Sequence, residues 1–371
     1  MAATTRGCVT WSLSKLTRKF LHKNNLKTLK NSTYCTRAAL VEKYNLKRRS
    51  NTVKNYKYFT EKNVAERVAK VLDVEGKLVI ETSPGPGLLS RELVKCGARK
   101  VVGLEPEKRF LPRLREIQNE VGERNFEPLF ADFAKIDPHL IPDQNTTKPR
   151  VCREPAIASK ELFKDFEPVS WDSDQIPVKF VGIEGGKTIA STTKVLISYL
   201  ARIPTRESIF EMGRCELAFF YTEDRLERLL ARPGSRYYNR LAIMAAIFCD
   251  INVLHREPCS SFDPFFRKDS RSDLHLVSIV PKKNIKVSIP ADSLPIIGYF
   301  IRILMIKPKQ PLVTALEGIS PGCHDIVRQL GWSSDIRACD LTPEEYGLLI
   351  NEFFHWDANS SLEFFYSIGR P

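Results

Sequence analysis

Residues 77–87 read Lys77-Leu78-Val79-Ile80-Glu81-Thr82-Ser83-Pro84-Gly85-Pro86-Gly87. The apolar run at 78–80 has the composition of a short strand buried on both faces. The Pro/Gly turn after it opens a helix over 88–96, which Gly97 stops. Glycines at such a junction let the backbone approach a ligand closely and leave helix N–H groups free to bind it. A second strand over 100–104 ends on Glu105, eighteen residues after Gly87. A carboxylate at that place can accept both ribose hydroxyls of a nucleotide. A helix with Phe110, Leu111, Leu114 and Ile117 on one side leads to a third strand over 126–130, ending at Asp132. This βαβαβ rhythm implies a parallel sheet with crossover helices. A tight turn followed by two solvated acids would read the same way.

Further along, 139–175 is Pro-, Asp- and Lys-rich, with a short helix candidate at 161–166. It is too long for an ordinary connection and reads as an insertion. Strand character returns at 177–183, 215–222, 251–255 and 274–281, with helices over 187–202, 223–231 and 237–249. Beyond Pro281 the pattern is helical, near 296–306, 323–330 and 343–354. The last has Thr342 as cap, Pro343 at the first position and two acids behind it. The fold class is therefore α/β: a Rossmann-like sheet domain over 58–281 and a smaller C-terminal helical domain over 282–371.

The net charge of +13 is local. Residues 1–57 hold fourteen Lys and Arg and one acid, Glu42, so the remainder is formally neutral. The acid-free, Ser-rich amphipathic start reads as a mitochondrial transit peptide over 1–42, with an uncertain cleavage site. A disordered basic tail is the alternative. Behind it, 43–57 forms a basic arm in which Lys43, Lys47, Arg48, Arg49, Lys54 and Lys57 are candidates for contacting nucleic-acid phosphates. Nine scattered cysteines and six histidines show no metal-ligand spacing, and no metal is expected. The longest apolar run, 241–249, is too short to span a bilayer, so no membrane partner is expected.

Several motifs carry a resemblance. Glu81-x-x-Pro84-Gly85-x-Gly87, then Leu104-Glu105, then Ala131-Asp132-Phe133 resemble the rRNA adenine N6-dimethyltransferase family. Lys57-Tyr58-Phe59-Thr60-Glu61 is similar to that family's opening motif. Ala231-x-Pro233-Gly234-x-x-x-Tyr238-x-Arg240-Leu241-x-Ile243 is similar to a further family signature. The resemblance implies an S-adenosylmethionine methyltransferase sheet in which Glu105 binds the cofactor ribose and Asp132 the adenine amino group. It further implies that Gly85 and Gly87 cradle the methionine portion and that Phe59 closes the pocket, with Glu81 heading the motif. Ser83 stands where the family has its first glycine, and its side chain crowds the turn or the ligand, which weakens cofactor binding.

The family's Asn-x-Pro-Tyr/Phe loop holds the adenine amino group and stacks on the base. Here the matching positions are Ile183, Glu184, Gly185 and Gly186, with no amide, proline or aromatic ring. Methylation is therefore expected to be weak or absent. That loss, with local matches at 159–164, 169–179 and 253–263, resembles the family's mitochondrial transcription factor B branch. The branch implies a matrix nucleoid protein that helps the mitochondrial RNA polymerase melt promoter DNA. The alternative is a working methyltransferase of the mitochondrial small-subunit rRNA. Trp171, Trp332 and Trp356 read as packing residues.

Overall fold

The computed structural model describes residues 36–46, 56–140, 155–184, 189–265 and 272–356. Nine strands carry it: β1 (Tyr58–Phe59), β2 (Leu78–Thr82), β3 (Lys100–Leu104), β4 (Phe126–Leu129), β5 (Val178–Ile183), β6 (Glu216–Thr222), β7 (Cys249–Pro258), β8 (Phe262–Asp263) and β9 (Asp273–Pro281). Seven form one sheet in the order β4-β3-β2-β5-β6-β9-β7, while β1 and β8 pair separately. From β4 to β6 the neighbours are parallel; β9 and β7 close the far edge antiparallel. The chain leaves β2 toward β3 and β4, then returns on its other side as β5. That reversal opens a crevice at the carboxyl ends of β2 and β5, the usual ligand position of such sheets.

The central strands are buried because helices cover both faces. Every residue of β2 and β5 is buried. This includes Lys179, whose ammonium lies 2.9 Å from Glu216, while Ser278 Oγ donates to the other oxygen of that carboxylate at 2.7 Å. A charge inside a sheet persists only when paired and hydrogen-bonded in this way.

One element is new and two expected ones change. The helix Lys62–Val71 was not expected, although Val64, Ala65, Val68 and Ala69 form its buried stripe. The helix expected over 237–249 runs only from Arg240 to Phe248. Asn239 is extended and its Oδ1 accepts from the N–H groups of Leu241 (2.8 Å) and Ala242 (3.3 Å), so it starts the helix. The strand expected over 251–255 extends across Cys249–Pro258, with an irregularity between Val253 and His255.

The C-terminal helices Ile297–Leu304, Leu312–Glu317, Asp325–Gln329 and Pro343–Trp356 do not form a core of their own. Phe300, Phe353 and Phe354 belong to the same buried cluster as Ile243 and Met244 and as Phe180 and Leu217 of the sheet. Over its described residues, the expected C-terminal helical domain lays its apolar side chains on one face of the sheet core. Thr342 and Glu345 form a reciprocal capping box at its last helix, with bonds of 3.1 and 2.7 Å. The described part of the expected insertion also joins that core. Leu162, Phe163 and Trp171 are buried, and Trp171 Nε1 donates to the carbonyls of Lys282 and Lys283.

The expected division at residues 42/43 falls within a described helix. The helix Arg37–Lys43 crosses it, capped by Thr36, and Leu40, Val41, Tyr44 and Leu46 are buried on the sheet's other face. Arg37 Nε donates to Asp263 at 2.8 Å and its Nη2 to the Ser260 carbonyl at 2.7 Å, while Nη1 pairs with Glu61. Four buried apolar side chains and the Arg37 bonds hold this segment on the body, which composition alone does not reveal. Residues 1–35 of the expected transit segment, and Lys47, Arg48, Arg49 and Lys54 of the arm, lie outside the described residues.

Candidate functional site

The turn after β2 begins with Ser83 in the left-handed region (φ +52°), where a glycine would be unstrained. Ser83 N–H donates to the Leu104 carbonyl at 2.8 Å, which draws the turn to the end of β3. Gly85 (φ +57°) then donates its N–H to Glu105 Oε2 at 2.8 Å, and Glu107 N–H donates to Oε1 at 2.7 Å. Glu105 is 0% exposed. Burial pushes its carboxyl up to about 8, although the two N–H donors favour the ionised form. Glu81, buried beneath the turn, is likewise pushed up to about 8 by burial, against the Ser90 hydroxyl, which lowers it.

Asp132 follows β4, nearly buried, and its Oδ1 accepts from Ala134 N–H at 3.0 Å. It lies close enough to Tyr56 for its charge, after burial, to raise that phenol, as do Glu105 and Glu107. The structure thus gathers Gly85, Glu105, Asp132, Tyr56 and Tyr58 at one end of the sheet. Two expected members face elsewhere. Phe59 does not close this cradle: it packs edge-on against Phe262 at 5.2 Å and Phe220 at 6.0 Å, inside the core. Gly87 (φ +77°) is required by packing, since a Cβ there would lie 2.3 Å from Ile117 Cδ1 and 2.9 Å from Leu114 Cδ2.

Sequence reasoning missed Tyr58 and Tyr56. A Cβ built on Gly85 would lie 2.3 Å from Tyr58 Cδ1. The ring therefore occupies the space that the glycine opens over the backbone. The Tyr58 hydroxyl donates to Glu107 Oε1 at 2.7 Å, and Phe110 backs its ring at 4.9 Å. The alternation of bulky residues through Tyr56 and Tyr58 was the available signal. Composition does not say which face of a two-residue strand meets the turn.

At the end of β5, Ile183 is buried and Glu184 N–H donates to the Phe220 carbonyl at 3.1 Å. Arg225 Nη1 donates to Glu184 Oε2 at 2.8 Å and to its carbonyl at 3.2 Å. A guanidinium on that carboxylate competes with any amino hydrogen offered to it. Gly185 and Gly186 lie outside the described residues. The 231–243 signature makes a joint: Gly234 N–H donates to the Cys339 carbonyl and Tyr238 Oη to that of Leu341, both at 2.8 Å. Among the arm residues, exposed Lys43 lies 5.4 Å from the Tyr44 ring centroid, and Lys57 Nζ donates to the Pro264 carbonyl at 3.2 Å. Among the described residues no group of three or more His, Cys, Asp or Glu could hold a metal, and no helix is long and apolar enough to cross a membrane.

The sheet order, the Gly85–Glu105 corner and the added helices define a Rossmann-like methyltransferase fold. The dimethyladenosine transferase of Plasmodium falciparum superposes on 79% of this chain and 96% of its own, with TM-score 0.53 and 16% identity. The model of the ribosomal RNA adenine dimethylase family matches residues 47–352, and the chain belongs to that family. It is 28% identical to the human dimethyladenosine transferase 2, mitochondrial, over 79% of this chain and 76% of that protein. The bovine protein of the same name is 30% identical over 78% and 75%. The family's methyltransferases use S-adenosylmethionine. In this structure Glu105 supplies a carboxylate suited to a ribose, and the Tyr58 ring packs over Gly85 beside it.

Proposed function

We propose that this chain is a mitochondrial transcription initiation factor that assists promoter melting by the mitochondrial RNA polymerase, on a methyltransferase fold that no longer methylates. The observation that carries the reading is the end of β5. Where chemistry on adenine N6 needs a neutral acceptor and a stacking ring, there is an aliphatic residue and a carboxylate tied to Arg225. Without that loop the fold still offers a rigid body with a basic N-terminal arm. Lys43, Lys47, Arg48, Arg49, Lys54 and Lys57 would contact phosphates of the melted promoter strand in the matrix nucleoid, and affinity would fall steeply with salt.

Run-off transcription from closed and premelted mitochondrial templates, with and without the protein, tests this. Dependence on the protein only with the closed template supports a melting factor; stimulation of neither overturns it. The second reading, methylation of small-subunit rRNA, is favoured by family membership and by Glu105 and Asp132 standing at adjacent strand ends. Transfer of labelled methyl groups to the rRNA hairpin would establish it.

A further inference from the structure

Tyr58 and Phe59 are consecutive in β1, so their side chains leave on opposite sides of the strand. Phe59 takes the core side, against Phe220 and Phe262. Tyr58 takes the other, where its ring meets Gly85 and its hydroxyl Glu107. Those same two residues donate their N–H groups to Glu105. The phenol therefore bridges both ends of the cradle around that carboxylate, which is 0% exposed. A ribose hydroxyl would have to come within about 3 Å of a Glu105 oxygen, through space the ring occupies.

The ring is held from outside as well. Phe110 lies 4.9 Å from Tyr58 and 4.8 Å from Tyr44, which belongs to the 36–46 strap. Arg109 Nη1 donates to the Tyr44 carbonyl at 2.6 Å, and Arg37 fastens the other end of the strap to Asp263. Asp263 pairs in register with Tyr58 and also accepts from Thr60 Oγ1 at 2.7 Å. Strap, β1 and plug form one packed unit.

We propose that Tyr58 is a resident plug of the ribose subsite, locked in place by the N-terminal strap, and that it excludes S-adenosylmethionine from a cradle whose carboxylate is still present. The inference rests on Glu105 being the ribose acceptor and not on the transcription role, so either can fail alone. Equilibrium dialysis of the full chain against labelled S-adenosylmethionine tests it, using wild type, Tyr58→Asn, Tyr58→Phe and Arg37→Ala. Wild type and Tyr58→Phe, which keeps the ring, retain no label at micromolar ligand. Tyr58→Asn tightens binding by at least about tenfold, lost again when Glu105→Ala is added, and Arg37→Ala gives a smaller gain. Micromolar binding by wild type overturns the proposal, as does a folded Tyr58→Asn that binds no better. If Tyr58→Asn does not melt cooperatively, wild type decides: a rise in melting temperature with millimolar S-adenosylmethionine overturns the plug, and no shift sustains it.

Discussion

The two ends of the crevice have parted company. At the β2–β3 end, the turn, Gly85 and Glu105 keep a complete hydrogen-bonded corner, each carboxylate oxygen held by a backbone N–H. At the β5 end, Glu184 is drawn into an ion pair with Arg225. The first end is also part of the fold: removing Glu105 would leave the buried Gly85 N–H without its acceptor, at about 1–3 kcal/mol, and free the partly buried Glu107 N–H as well. A corner embedded in strand connections is held by the fold itself as well as by anything it binds.

The largest effect that could break this contrast is catalytic. Methyl transfer to the rRNA hairpin should fall short of a working family member by at least about 100-fold, the contribution of a positioned acid–base group. Robust dimethyladenosine formation, abolished by Asp132→Ala, would return the β5 loop to service.

Next in size is the pH dependence of stability. Glu81 and Glu105 are pushed up to about 8 by burial, against an ordinary carboxylate near ~4.3 in the unfolded chain. Between those values the folded state holds a proton that the unfolded state has lost. Their contribution is therefore complete at acid pH and disappears as pH rises toward about 8. Glu81→Gln should flatten that decline in urea titrations across the window; an unchanged slope would mean Glu81 is ionised in place.

Phe59→Ala should cost about 4 kcal/mol of unfolding free energy, as for a buried ring in a packed cluster. A loss under about 1 kcal/mol would place Phe59 at the cradle after all. Arg225→Ala should cost about 2 kcal/mol, the scale of a charge-assisted hydrogen bond in a half-buried pair. A double-mutant cycle with Glu184→Gln should show coupling; additivity would free Glu184 for another partner. The smallest change runs the other way: Ser83→Gly should stabilise by about 1 kcal/mol, relieving a left-handed backbone.

Much of the sheet was legible because its central strands are buried on both faces and read as apolar runs, as at 78–80 and, interrupted only by Lys179, at 178–183. The strand ends bearing Glu105 and Asp132 followed from the same runs. The helix Lys62–Val71 was overlooked although its apolar spacing was present, because the stripe consists of alanines and valines among charges. Asn239 likewise carried a cap signal inside what looked like an uninterrupted helix.

By itself the sequence determined the succession of strands from β2 to β6, the placing of Gly85 after β2 and of Glu105 after β3, and the missing amide and ring after β5, since these depend on residue type and local spacing. Tertiary structure alone decided that Phe59 belongs to the core while Tyr58 covers Gly85, because β1 takes its facing from its pairing with β8. It also decided that residues 36–46 belong to the body. Their four buried side chains become favourable only where a matching surface exists, and that surface is assembled from Phe110, Tyr58 and Leu114, residues distant in the chain.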